Sequence, residues 1–278
     1  MSQVAFSIGS FSVYWYSLCI LTAFLLGFFI VKREIKRHKN ITDNFLYDYF
    51  FFLVPLVIIG ARLYYVIFEW GYYSHNLGEV FKIWNGGLAI HGGVIVGIIY
   101  TYFYTKKKNI NPIRFMDIAS ASLVLGQAIG RWGNFFNKEA YGPVVSKAFL
   151  KGLHLPKFII DGMYIDGTYH HPTFLYESLT CFVCFLIIIL LRKLYKNLKV
   201  GTCCGIYFTI YGVERFLVES LRQDSLMLGS IKVAQLVSGI MVVTGIIFIV
   251  FSLIKKVPYI EPIKEVKNSK KRKKAINE

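Results

Sequence analysis

The stretch "YGVERFLVESLR" (211–222) places Arg215, Glu219 and Arg222 at i, i+4 and i+7, on one helix face. A face with two guanidiniums and a carboxylate cannot look at hydrocarbon, so it must turn to a bundle interior or a wet cavity. A second polar group lies in "GRWGNFFNKEAYG" (130–142), which holds Arg131, Asn134, Asn137, Lys138 and Glu139, with glycines at 130, 133 and 142. Guanidiniums match a phosphate through paired donors and stay charged at any relevant pH. Asn134 and Asn137 add neutral donors and acceptors. Glu139 and Glu219 can each hold an arginine in place. The glycines, Gly142 among them, let backbone come close to a ligand or turn sharply. Arg62 in "GARLYYV", Tyr16 in "VYWYSL" and Tyr211 are further candidates to bind an anion or to hold the arginines that do. His91 in "AIHGG" brings an imidazole, which can accept a proton near neutral pH. A lone histidine is as often structural, and both readings stand for His91.

These groups must be positioned by apolar elements. The chain has 278 residues, 55% hydrophobic and only 17% charged, with a mean hydropathy of +0.50 and a net charge of +16. Soluble domains carry about 25% charge. Apolar runs at about 11–31, 45–68, 87–104, 115–130, 173–191, 201–218 and 233–254 approach or exceed the roughly 17–25 residues that cross a hydrocarbon core. In lipid the backbone must satisfy itself, so these runs are helices. The expected fold is an all-α polytopic membrane protein with seven transmembrane helices. Residues 1–254 would form a single membrane domain and 255–278 a basic cytoplasmic tail.

Of the 32 Lys and Arg, 22 fall in the 32–44, 105–114 and 192–200 connections and the tail, and eight lie in the connections opposite. Positive charge collects on the cytoplasmic side, which puts the N-terminus outside and the C-terminus inside. The long 131–172 connection is then extracytoplasmic, and its "IIDGMYIDGTYH" reads as a turn-linked strand pair. Tyr16, Arg62, His91, Arg131, Asn134, His171, Tyr176, Glu177, Arg215, Glu219 and Arg222 all map toward the outer leaflet. Arg62 stands six residues before the exit of its span, about 9 Å down at about 1.5 Å per residue. Asp117 is the exception, at the cytoplasmic start of the fourth span, where a carboxylate suits a helix N-terminus.

Charge that alternates between connections serves insertion, not nucleic acid. The tail "NSKKRKK" (268–274) reads as solvated chain, with anionic headgroups as its other partner. No basic region precedes the first apolar run, so that run reads as an uncleaved anchor. Cys19, Cys181, Cys184, Cys203 and Cys204 all lie in spans without histidines at ligand spacing and read as small hydrophobes. Neither a metal nor a cofactor is expected. Enzyme, transporter and scaffold remain as classes. Transporters usually place polar groups near the midplane with access from both sides, and a scaffold explains neither the glycines nor the arginines.

"GRWGNFFNKEAYG" resembles the signature of the bacterial prolipoprotein diacylglyceryl transferase family, through Gly130, Arg131, Gly133, Asn134, Phe135, Asn137, Glu139 and Gly142. "WYSL", "GARLYYV", "HGG", "HPTFLYE" and "YGVERFLVESLR" are similar to further family segments in the family's order, so that the likeness covers 1–254. Ser17 stands where the family commonly has glycine. The resemblance implies a seven-span enzyme of the bacterial cell membrane that acts on membrane lipid. It would move the diacylglyceryl group of phosphatidylglycerol to the lipobox cysteine in the signal peptide of a preprolipoprotein, releasing glycerol phosphate. Arg131 and Arg215 would bind the phosphate. His91 would act as base or relay, unless an arginine-stabilised thiolate makes it secondary. Tyr16, Arg62, Asn134, Asn137, Glu139, Gly142, Tyr211, Glu219 and Arg222 would line the substrate site.

Overall fold

The structure is a computed structural model that describes residues 3–9, 11–222, 227–229 and 231–261. The basic run 268–274 lies outside the described residues. Seven helices of 18 residues or more are present among those described: α1 (Trp15–Ile35), α2 (Asp43–Phe68), α3 (Ile90–Lys107), α4 (Pro112–Asn137), α5 (Thr173–Leu194), α6 (Thr202–Leu221) and α7 (Val233–Lys255). Four of them, α1, α2, α5 and α7, are long and apolar enough to cross a membrane. The other three bury Arg114, Asp117, Glu214 and Glu219 among their polar groups. Most of the apolar side chains on these helices face outward, as expected of a multi-pass membrane protein whose solvent is lipid.

Local signals set the helix ends. Thr42 caps α2, its side chain accepting from Phe45 N at 3.2 Å. Asn111 caps α4 by accepting from Ile113 N at 2.9 Å, with Pro112 in the first turn. The end of α4 differs from the sequence expectation. The helix runs on to Asn137 and stops only where Lys138 turns left-handed at φ 54°. Arg131, Asn134 and Asn137 therefore sit on helical turns and not in a loop.

The chain is also not wholly α-helical. Short strands lie between or before the long helices: β1 (Val4–Ile8) with β2 (Phe11–Tyr14), then β3 (Val144–Val145), β4 (Tyr164–Ile165) and β5 (Thr168–His170) in the order β3-β5-β4, and β6 (Met227–Leu228) with β7 (Ile231–Lys232). The strand pair β4–β5 turns at Asp166 and Gly167, within the stretch read as a turn-linked pair. β2 occupies residues that read as the start of the first span; Trp15 begins the helix.

Neighbouring helices alternate in direction. Gly27 of α1 faces Ser122 of α4, while Tyr16 faces Gly133. α5 lies antiparallel to α4, with Glu177 beside Arg131 and Arg192 beside Asp117. The main core, including Ile35, Leu46, Phe115, Ile118, Val124 and Ile188, fills the half toward Asp117. A smaller one, with Phe135, Leu150, Ile160, Met163 and Phe174, seats the 138–172 segment on the end of α4 and the start of α5. Phe135 stacks on Phe174 at 4.6 Å, which joins that segment to both helices.

Candidate active site

α4, α5 and α6 converge on one carboxylate. Glu177, in the first turns of α5 and only 1% exposed, pairs with two arginines: Arg215 Nη1 donates to it at 2.8 Å, and Arg131 Nε forms an ion pair with its other oxygen at 2.8 Å. The second Nη of Arg215 reaches Glu219, one turn on, at 2.7 Å. The remaining donors of Arg131 make long contacts, to Asn134 Oδ1 at 3.4 Å and the Tyr211 hydroxyl at 3.5 Å. Asn134 donates to Glu139 at 2.8 Å. The tertiary fold thus joins five of the predicted residues, Arg131, Arg215, Glu219, Asn134 and Tyr211, to Glu177, with Glu139 behind Asn134. Tyr16 joins them by packing. A methyl on Gly133 would lie 2.7 Å from the Tyr16 ring, so only glycine lets that ring cover this turn of α4.

Other predicted residues lie elsewhere. Arg62 is buried, and all its donors go to carbonyls of one loop: Glu79 at 2.6 Å, Val80 at 2.8 Å, Gly86 at 2.8 Å and Gly87 at 2.9 Å. It clasps the connection between α2 and α3. His91 sits in the first turn of α3 at the same end of the bundle, exposed, with its ring over Tyr64 at 6.0 Å. The approach at Gly142 is made by the chain itself. Its amide donates to His171 O at 3.0 Å, and a methyl there would meet His171 Cβ at 2.7 Å. The carbonyl of Asn137 accepts from Gln3 at 3.1 Å. Arg222 ends α6, where Lys232 donates to its carbonyl at 3.0 Å.

Two residues of the cluster had no role assigned from sequence. Glu177 had been placed only by depth. Its position at the start of a span, within "HPTFLYE", was the available signal. Glu214 stands beside Arg215 and shares the helix face of Tyr207, Tyr211 and Val218, a spacing visible in the sequence. It is 7% exposed, and neither of its carboxylate oxygens has a hydrogen bond or an ion pair among the described residues. At the rim of the site, burial holds the His171 imidazole below its ordinary value. Its ring packs between Phe149 and Tyr176.

Beside the cluster, an open cleft of about 530 Å³ runs between α1, α4 and α5. Trp15, Leu18, Ile129, Trp132, Phe136 and Leu179 line it, and Trp132 adjoins Arg131. A charged cluster next to an apolar cleft suits a molecule with an anionic head and hydrocarbon chains. No three His, Cys, Asp or Glu side chains gather as a metal would require among the described residues.

The comparisons with known proteins point the same way. The family description "Prolipoprotein diacylglyceryl transferase" matches residues 3–251. Proteins named phosphatidylglycerol–prolipoprotein diacylglyceryl transferase are similar along nearly all of both chains. One from Staphylococcus aureus (strain MRSA252) is 48% identical over 259 residues, 93% of this chain and 91% of its own. One from Streptococcus pneumoniae (strain JJA) is 44% identical over 259 residues, covering 93% and 97%. One from Streptococcus equi subsp. zooepidemicus (strain MGCS10565) is 47% identical over 249 residues, covering 90% and 94%. Arg131 and Asn134 of the 130–142 stretch belong to the Glu177 cluster, the matched region takes in nearly all of the helical bundle, and the chain belongs to the prolipoprotein diacylglyceryl transferase family.

Proposed function

We propose that this enzyme transfers the diacylglyceryl group of phosphatidylglycerol to the lipobox cysteine of a preprolipoprotein. The thiol sulfur attacks the glycerol carbon that carries the phosphate. An S–C bond forms, the C–O bond breaks, and its electron pair stays on the phosphate of the departing glycerol phosphate. The observation that carries this reading is the carboxylate of Glu177 held between Arg131 and Arg215. A group that fits both guanidiniums resembles a phosphate in charge and in spacing of its oxygens. A phosphate on the same two arginines would meet donors whose attraction grows as charge builds on the leaving oxygen.

The other residues take supporting parts. Glu219 steadies Arg215, and Glu139 steadies Asn134. Tyr16, Tyr211 and Asn137 border the headgroup, and Arg222 marks the mouth. Gly142 holds the 138–172 segment to the start of α5, and Arg62 holds the loop before α3. His91 accepts the thiol proton or relays it, from the outer end of α3. The cleft between α1, α4 and α5 receives acyl chains beside Arg131.

In this reading the apolar runs give seven spans, and the distribution of Lys and Arg gives an external N-terminus and a cytoplasmic C-terminus. They place the cluster at the outer leaflet of the cell membrane, with residues 131–172 outside. Residues 1–254 form the catalytic membrane domain, and the basic tail lies in the cytoplasm. The test is incubation of the purified protein with phosphatidylglycerol and a lipobox peptide. A peptide bearing a thioether-linked diacylglyceryl group, with one glycerol phosphate released per adduct, is expected. Lipid redistribution without adduct would replace the transferase with a lipid transporter.

A further inference from the structure

The charges around Glu177 do not balance among themselves. Two cations, Arg131 and Arg215, face three buried acids, Glu177, Glu214 and Glu219, while the Lys232 ammonium is given to the backbone carbonyls of Glu219 and Arg222 and not to a carboxylate. Glu177 and Glu219 take the arginine contacts, and Glu214 takes none. Arg131 from α4, Glu177 and Cys181 from α5, and Arg215 from α6 itself lie within electrostatic reach of its carboxyl. Tyr207 and Tyr211 share its helix face. α7, which packs along α6, offers no ionisable side chain from Val233 to Ile254.

An incoming phosphodiester brings one more negative charge to this interior. With every acid ionised, four anionic groups would then share two guanidiniums. An unpartnered charge in a dry interior is costly. Glu177 and Glu219 cannot be neutralised without weakening the grip on the arginines that must bind phosphate. Glu214 can, because no contact depends on its charge, and the change moves no heavy atom. We propose that Glu214 is a charge-compensating residue that carries a proton whenever phosphate occupies the arginines, so that binding of the anionic lipid is coupled to uptake of one proton at this site. Glu214 then acts through Arg131 and Arg215 and touches no reacting atom. It sets how strongly an anion is held as pH changes.

This inference rests on the phosphate-binding reading and is tested apart from it. The affinity of the full-length wild type for a short-chain phosphatidylglycerol would be measured from about pH 6 to pH 9. A phosphodiester keeps its single charge across that range. Affinity is expected to weaken with rising pH, by up to about tenfold per pH unit where one proton is linked to binding. Glu214→Gln has the same shape and no charge to lose. It should bind with a flat pH profile and exceed the wild type at the alkaline end, while His91→Gln keeps the wild-type slope. A wild-type slope retained in Glu214→Gln would overturn the proposal, as would a flat wild-type profile. Should Glu214→Gln fail to fold, wild-type calorimetry in buffers of different ionisation heat decides. Uptake of about one proton per lipid bound supports the proposal, and none overturns it. The thioether assay keeps the two readings distinguishable. Adduct formation alongside proton-independent binding removes Glu214 alone, whereas absence of adduct removes the transferase reading itself.

Discussion

Both ends of the bundle bury charge, but they treat it differently. At the end opposite the cluster, Asp117 accepts from the amides of Gly201 at 2.5 Å and Cys204 at 2.7 Å and so caps α6. Arg192 donates to the carbonyls of Asp117 and Ile118. Arg114 donates to Pro258 O at 3.1 Å and pairs with Glu261, while Tyr259 donates to Glu34 at 2.8 Å. The amide of Val200 donates to Val257 O, and that of Tyr259 to Leu198 O. Residues 257–261 are thereby strapped across the ends of α1, α4 and α5. Most partners there are backbone atoms, fixed by the fold. At the Glu177 end the arginines hold side-chain carboxylates, two Arg131 contacts are long, and one acid has neither a hydrogen bond nor an ion pair among the described residues. Burial of charge therefore does not mark the site. A preponderance of exchangeable partners sets the candidate site apart, because a ligand can displace a carboxylate but cannot displace a backbone carbonyl without unfolding the chain. By this measure Arg62 belongs with Asp117 and Arg192, although it lies at the end where the site is.

The largest expected effect sharpens that division. Arg131→Ala or Arg215→Ala should lower transfer by about 10²–10³-fold or more through lost stabilisation of the leaving phosphate, with membrane insertion intact. Lysine at either place should restore only part, lacking the fork. Near-normal turnover of Arg131→Ala in the thioether assay would move the pair into the structural class.

His91 stands next. If it takes the thiol proton, His91→Gln should cost about 10²–10⁴-fold in turnover near neutral pH. The deficit should shrink toward the ordinary thiol pKa of about 8.5, where thiolate forms unaided. A mutant-to-wild-type ratio that stays level from about pH 6 to pH 9 assigns proton removal to the arginine field.

At the opposite end the effect should appear in stability and not in chemistry. Asp117→Ala leaves two buried amides without acceptors, at about 1–3 kcal/mol each. Thermal melting in detergent should drop while the protein still folded turns over normally. Arg62→Ala should behave likewise, with faster proteolysis in the loop between α2 and α3. A selective loss of lipid affinity without that loop effect would return Arg62 to the binding site.

The smallest effect concerns His171. Burial holds its folded-state value below the ordinary one. The unfolded chain then takes up the proton more readily. The stability contributed is complete above about pH 6.5, declines as pH falls from there toward the folded value, and changes no further below it. His171→Gln should flatten the acid side of the melting curve by about 1–2 °C. An unchanged acid slope would show that His171 does not contribute.

Much of this was legible in one dimension. Long apolar runs have no other way to satisfy their backbone in lipid, so the positions of the seven long helices could be read directly. Alternating basic connections gave each polar residue an expected end, and Tyr16, Arg62, His91, Arg131 and Arg215 do lie at a common end of the bundle. The period of one helix placed Arg215 and Glu219 together, and they pair at 2.7 Å. What a sequence lists is which charges are present, since composition and period act along a single element. Partnership acts across elements. Only packing decided that Glu177 of α5 joins Arg131 of α4 to Arg215 of α6, that Arg62 spends its donors on four carbonyls, and that no hydrogen bond or ion pair reaches Glu214 among the described residues. Those choices depend on hydrogen-bonding distances of about 3 Å between helices far apart in sequence, and helical periodicity carries no information about them.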